Sequence, residues 1–517
     1  MSECMWLHEH LRFWARERPH AEFAVHDGRA LTYGDAAERV EQIARALVEV
    51  LDPGDRFAVL SKNSIDLLLL CLAASQAGVV AVPLNYRLAP PEWAYILDDS
   101  GARLVVAEAE FLAGLDSIRA TVHGLAATIA WTDRRQGDWV PFDEWISSAP
   151  AGPLPVRRCE DAFQVYTSGT TGRPKGALGT HGALFALLYQ WRDAVPLTCE
   201  DRFLIVAPMY HVTGLLCALH AISCGAAMFI MTDFVPVEVV RALDEERIAA
   251  AVLVPSMIQA CLAVPNVEQR RFEALELLLY GASSISETTL RRAMTVFGCE
   301  FLQGYGMTEA PTLTFLSPAD HHRALNGADH LLLSVGRAAP GTDVKIVDDS
   351  DNELPPNTIG EICGRGPQIM RGYWNLPDAT AEALRGGWMH TGDVGYVDDA
   401  GYVYVKDRIK DMIISGAENV YPREVENVLF EHPDVADAAV IGVPSVQWGE
   451  TVKAVVVRRP GSTLDDAELI EFCRSRLAGY KRPRSVDFVE ELPRNPSGKV
   501  LKRVLREPYW QGAETSI

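Results

Sequence analysis

Twelve residues, YTSGTTGRPKGA from Tyr166 to Ala177, concentrate the means of holding an anion. They include three glycines, four hydroxyls (Thr167, Ser168, Thr170 and Thr171) and Lys175. Glycines such as Gly169 let backbone N–H groups converge on one point, hydroxyls add donors, and the lysine adds charge. The pattern G-x4-G-K-[ST] cannot be fitted here, so this is not a Walker A loop. A polar turn between a strand and a helix can share this composition. The density of hydroxyls and the Pro174-Lys175-Gly176 ending point instead to phosphate.

Such a loop needs rigid elements behind it. Short β-type runs alternate with helical patterns over the first four hundred residues: RFAVL (56–60), RFLIVA (202–207), AAVLVP (250–255) and LELLLYG (275–281), with VEVVRALDEERI (237–248) between them. This alternation predicts an α/β protein whose large N-terminal domain is built of βα units with largely parallel sheets. From Pro340 the texture changes to short strands such as DVKIVD and YVYVKD, punctuated by Gly, Pro and Asp. That predicts a small β-rich subdomain over 340–409 within a domain spanning 1–409. Residues 410–517 read as a small α+β domain. In it, Pro422 opens a helix, VADAAVIGV and VKAVVVRR are strands, and Thr463 with Asp466 suggests a capping box.

The chain has 517 residues and a net charge of −21, which disfavours nucleic acid as a partner. Its ten cysteines form no CxxC, as in a reduced cytoplasmic protein. The apolar run Leu67 to Leu84 contains Ser75, Gln76, Gly78 and Pro83, so it reads as a buried helix and strand and no membrane span is expected. The N-terminus lacks the apolar stretch of a signal peptide, and no carrier domain is apparent. His8, His10, His321 and His322 lack a ligand set and read as surface residues.

The loop also resembles the phosphate loop of the adenylate-forming superfamily, which includes acyl-CoA synthetases, peptide-synthetase adenylation domains and beetle luciferases. The likeness continues in order through PMYHVTG (208–214), YGAS (280–283), QGYGMTE (303–309), WMHTGDVGYVDDAGYVYVKDRIKDMI (388–413) and NPSGKVLK (495–502). It implies attack of a carboxylate on the α-phosphate of ATP, with release of pyrophosphate. Lys175 and the loop hydroxyls would hold the β- and γ-phosphates, Glu309 would be a Mg²⁺ ligand, and Thr308 would donate to the α-phosphate. Gly281, Ala282, Tyr305 and Gly306 would border the adenine, with Tyr305 stacking on it. Asp393 and Arg408 would take the ribose. Lys499 would bridge the carboxylate and the α-phosphate. His211 either borders the acyl pocket or packs. Other pocket residues are expected near Trp191, His211 to Gly214, Gly281 to Ser284 and Gly304 to Thr308. Trp448-Gly449-Glu450 is assigned to packing.

The resemblance also gives a role to DRIKDMIISGAENVYPREVE (407–426). Lys410 would be a hinge about which the small domain turns, bringing Met412 to Tyr421 towards an acceptor channel. Many thioester-forming relatives read Gly-Gly where this chain has Gly416-Ala417. Either the added methyl is absorbed by a small shift and CoA is the acceptor, or an amine attacks and the product is an amide. A carrier protein is a third acceptor.

Overall fold

The computed structural model describes residues 6–167, 173–282, 285, 287–408, 411–415, 418–445, 448–474, 476–494 and 500–511. Ser168, Gly169, Thr170, Thr171, Ser283, Ser284, Lys410, Gly416, Ala417 and Lys499 lie outside the described residues.

The described residues build four sheets. The centre of the largest is parallel: Ala227–Ile230, Arg202–Ile205, Ala250–Val252, Leu277–Gly281 and Glu300–Met307 lie side by side in that order. Helices return the chain between these strands, as the alternation predicts; VEVVRALDEERI contributes Pro236–Glu245. Glu300–Met307 then folds back antiparallel onto Ala310–Leu316. The turn between them leaves Thr308 and Glu309 at the carboxyl ends of the parallel strands. Open α/β sheets bind ligands at those ends.

The second sheet places Arg56–Leu60 between Val80–Leu84 and Ala102–Glu108, all parallel. Its other flank is an antiparallel hairpin, Asp161–Thr167 with Lys175–Thr180, edged by Gly372–Tyr373. The apolar run of the sequence analysis forms the helix Ile65–Ala77 and the strand Val80–Leu84, both almost wholly buried. This run anchors a core shared by the two large sheets.

The third sheet is antiparallel, formed by Asp343–Val347, Gly360–Arg365, Met389–Val397 and Val403–Arg408. A fourth sheet begins at Ile413–Ser415; its long strands Val435–Ser445 and Gly449–Arg458 pair antiparallel and carry a separate core. The fold is therefore α/β, with large N-terminal sheets, a small β-rich sheet and a small α+β C-terminal unit.

Local expectations change in three places. The helix Asp466–Arg474 is capped by Asp465, whose carboxylate accepts the Glu468 N–H at 2.8 Å, so Thr463 and Asp466 form no box. Leu464 is buried, and the chain reaches Asp465 before it can turn into the helix. His8 and His321 are buried rather than superficial, hydrogen-bonded to Ser75 and to Tyr280 and Ser317 respectively. Trp448 is 44% exposed, so packing is not its role.

Candidate active site

Lys175 begins the strand Lys175–Thr180, and the register Thr167↔Lys175, Tyr166↔Gly176 makes the loop the tip of a hairpin. The base of that hairpin is held tightly. The Tyr166 hydroxyl donates to Asp99 at 2.6 Å and accepts from Gln164 at 2.9 Å. Tyr95 donates to the Pro174 carbonyl at 3.0 Å. A Cβ on Gly176 would lie 2.6 Å from the Gln164 amide, so the glycine lets these side chains cross the strand. Among the described residues Lys175 makes no ion pair; its ammonium lies 4.9 Å from the ring centre of Tyr373.

Glu309 is 5% exposed. Its Oε1 accepts from the Tyr373 hydroxyl at 2.7 Å, and among the described residues it too has no ion-pair partner. A buried carboxylate satisfied by only a neutral phenol favours a cation beside it. Hard carboxylate oxygen suits Mg²⁺, which usually takes few protein ligands alongside substrate phosphates. The donor set therefore fits that ion, and Glu309 would hold it.

The backbone around this turn is crowded. A Cβ on Gly306 would meet the Ala310 and Pro311 carbonyls at 2.5 Å, and one on Gly281 would meet the Gly304 carbonyl at 2.3 Å. Ala282 follows with φ +64, a left-handed conformation that costs a non-glycine residue about 1 kcal/mol or more. Sheet packing thus imposes a bare, bent ledge at the strand end expected beside the adenine.

Asp393, Arg408 and Tyr305 come together. Asp393 and Arg408 are cross-strand partners; the Arg408 Nε lies 3.0 Å from Oδ1 of Asp393, while the Tyr305 hydroxyl donates to Oδ2 at 2.7 Å. Burial, reinforced by the Asp393 charge, pushes the Tyr305 phenol well above its ordinary pKa, so it remains a donor.

The turn presenting Asp393 has its own scaffold, which the sequence reading missed. The Thr391 hydroxyl donates to the Ile362 carbonyl at 2.8 Å and accepts from the Asp393 N–H. Gly392, at φ +68, donates its N–H to Glu361 at 3.0 Å. The other oxygen of Glu361 accepts from Arg385 at 2.9 Å and meets His390 Nδ1 at 2.8 Å. With Cys363 these residues form a carboxylate–thiol–imidazole group within 4.8 Å. Both oxygens of Glu361 are already engaged in holding the turn, so the group reads as a hydrogen-bonded brace. The only signal available beforehand was the placement of His390 within WMHTGD.

Next to Arg408, the Asp407 carboxylate accepts from the backbone N–H of Arg408 at 2.8 Å and of Arg423 at 2.9 Å. Arg423 lies in the first turn of the helix Pro422–Phe430, so one side chain joins the third sheet to the C-terminal unit. Further charges gather there: Lys502 pairs with Glu426 and Arg506 with Asp411, each at 2.8 Å. Burial opposes the Lys502 charge, but Glu426, Asp407 and Asp411 outweigh it and raise its pKa.

His211 sits before the helix Val212–Cys224, on a segment fixed by Asn63, which bonds Ala207 and Met209. Its ring lies 4.6 Å from that of Tyr210. Burial, then the nearby Arg87 charge, lowers its pKa to about 4, so it is neutral at physiological pH. Among the described residues no hydrogen bond or ion pair links it to Asp393 or Glu309, and its buried Nε2 lacks a partner. Trp191 is buried, with its indole N–H on Thr312 at 3.1 Å.

Comparison with known proteins identifies the family. Residues 11–374 match the AMP-binding enzyme family model, and 424–499 match the AMP-binding enzyme C-terminal domain. The chain is 40% identical over 502 residues to a feruloyl-CoA synthase from an Amycolatopsis species, covering 96% of this chain and 97% of that one. It is 39% identical over 508 residues to a fatty acid–[acyl-carrier-protein] ligase from Streptomyces coeruleorubidus, covering 96% and 95%. An amide bond synthetase from Marinactinospora thermotolerans superposes with a TM-score of 0.87 at 29% identity, over 97% of this chain and 100% of that one. The chain belongs to the AMP-binding enzyme family of the adenylate-forming superfamily and is an AMP-forming ligase.

Proposed function

We propose that the protein activates a carboxylic acid with ATP to an acyl-adenylate, releases pyrophosphate, and transfers the acyl group to CoA. The observation that carries this reading is the pairing of two prepared surfaces. A polar anchor of Asp393, Arg408 and Tyr305 gathers from three strands, and a buried carboxylate, Glu309, is joined through Tyr373 to the ammonium of Lys175, which makes no ion pair among the described residues. One surface suits a ribose, the other a metal-bound polyphosphate.

In this reading Thr167, Ser168, Gly169, Thr170, Thr171 and Lys175 hold the leaving phosphates, and Thr308 donates to the α-phosphate. Gly281, Ala282, Tyr305 and Gly306 border the adenine. Glu309 holds Mg²⁺, which when bound neutralises phosphate charge. Lys499 bridges acid and α-phosphate, where a compact ammonium suits two oxygens. His211 borders the acyl pocket as a neutral group. Residues 410–517 then turn about Lys410, and Gly416 and Ala417 line the channel through which the acceptor arrives. A cytoplasmic setting is in keeping with the ATP this reaction would consume and with cysteines read as reduced.

The feruloyl-CoA synthase relative favours CoA as acceptor. Ala417, and the likeness to an amide bond synthetase, support a second reading in which an amine attacks the same acyl-adenylate. The test is to supply enzyme, ATP, Mg²⁺ and a panel of aryl, heteroaryl and fatty acids with CoA, with amines, or with a phosphopantetheinylated carrier protein. Thioester with free CoA is expected. Amide without thioester would replace this reading with the second, and acylation of the carrier protein alone would replace it with a third.

A further inference from the structure

We infer that Tyr373 is the positioning residue that couples the metal-binding carboxylate to the phosphate-loop lysine. The inference rests on the adenylation reading above, and nothing in the sequence motifs assigns this residue. Its hydroxyl donates to Glu309 Oε1 at 2.7 Å, while its ring centre lies 4.9 Å from the ammonium of Lys175. These two groups come from different sheets, so one side chain spans the gap between them.

Tyr373 can do this because its backbone is fixed on every side. Gly372 and Tyr373 form a short edge strand in register with Leu178 and Ala177, two to three residues beyond Lys175. The Tyr373 N–H donates to the Thr380 hydroxyl at 2.9 Å. On one side, Met370 donates its N–H to the Glu309 carbonyl at 2.8 Å. On the other, Trp374 donates its N–H to the Gly176 carbonyl at 2.8 Å and its indole N–H to Asp99 at 3.1 Å. Arg56 stacks over the Trp374 ring at 3.4 Å. Residues 370–374 thus clamp the strand carrying Lys175 to the turn carrying Glu309.

The chemistry of a phenol suits the task. By taking Oε1, the hydroxyl fixes the carboxylate plane and directs the second oxygen to a metal. The ring face attracts the ammonium without neutralising it, which leaves the full charge for phosphate. A carboxylate in the same place would quench Lys175.

The test uses the whole chain without acid, so that nothing turns over. Mn²⁺ replaces Mg²⁺ and is followed by electron paramagnetic resonance in the presence of ATP; ATP binding without metal is followed by calorimetry. Tyr373→Phe keeps the ring and removes the hydroxyl. It should weaken Mn²⁺ binding about tenfold, the scale of losing a partner that orients a metal ligand, and leave metal-free ATP binding within about twofold. Tyr373→Leu should also weaken metal-free ATP binding severalfold. In a Glu309→Gln background, Tyr373→Phe should have no further effect on Mn²⁺. Unchanged Mn²⁺ binding in Tyr373→Phe, or additive losses with Glu309→Gln, would overturn the inference alone. Wild-type protein that binds neither ATP nor Mn²⁺ would sink the proposed function and this inference with it.

Discussion

The proposed ribose anchor and the joint to the C-terminal unit lie next to each other in sequence and are built on opposite principles. Asp393 and Arg408 are cross-strand partners in a sheet with its own apolar core, and in the turn from Thr391 to Asp393 the Thr391 hydroxyl and the Gly392 and Asp393 N–H groups each have a partner. The adjoining joint is polar: the Asp407 carboxylate accepts the Arg423 backbone N–H, Glu426 pairs with Lys502 and Asp411 with Arg506. Interlocking apolar side chains permit one arrangement. Buried ion pairs must exchange whole, each charge finding a new counter-ion, when rigid units rotate past one another. The proposed ribose site is thus braced, and the charged seam lies between Asp407 and Glu426, where the proposed pivot Lys410 falls in sequence.

The largest expected effect tests what the seam delivers. Lys499→Ala should lower acid-dependent pyrophosphate release by about a hundred- to a thousandfold, the scale of losing one preorganised charge in a transition state, while calorimetry still shows ATP binding. Near-normal release would remove Lys499 from the mechanism.

Next comes the rigid side. Asp393→Ala leaves Arg408 buried beside Tyr305 without its counter-charge. Denaturant unfolding should show a loss of about 3–5 kcal/mol, and ATP affinity should fall with it. Unchanged stability would mean that the anchor is not preorganised.

A third prediction concerns acid. His8 and His220 are buried, and burial lowers them, like the more accessible His211, to about 4; His181 is held at about 3. The unfolded chain then binds more protons than the fold between pH 6.5 and 4. Stability should fall as pH drops through that window, by up to roughly 1 kcal/mol per pH unit for each histidine. A thermal midpoint unchanged between pH 7 and 5 would contradict this. The smallest change is expected where the helix Pro255–Leu262 meets the C-terminal unit: Gln259→Ala removes a hydrogen bond to the Ala436 carbonyl and should alter acyl transfer by less than about tenfold, leaving adenylation intact.

Much of this architecture is legible in the sequence because it rests on local signals. RFAVL becomes the strand Arg56–Leu60 residue for residue, since alternation with a following apolar helix specifies both elements. Asp393 and Arg408, named by their motif, meet across two strands. Tyr373 was not legible. Its partners stand 64 and nearly 200 residues away, and a lone tyrosine beside a glycine carries no periodic signal. The same holds for the Glu361–Arg385–Asp351 chain behind the ribose turn, assembled from three separate strands and loops. Helix capping failed for a local reason: STLDD offers two overlapping cap registers, and burial of Leu464 selects the later one.

The central claim is that an acyl-adenylate forms before any acceptor arrives, and exchange of labelled pyrophosphate into ATP tests it most directly. With a competent acid and Mg²⁺, and with no CoA, amine or carrier protein present, label should enter ATP, and omission of the acid should stop it. Exchange that requires the acceptor, or that proceeds equally well without acid, would contradict the account.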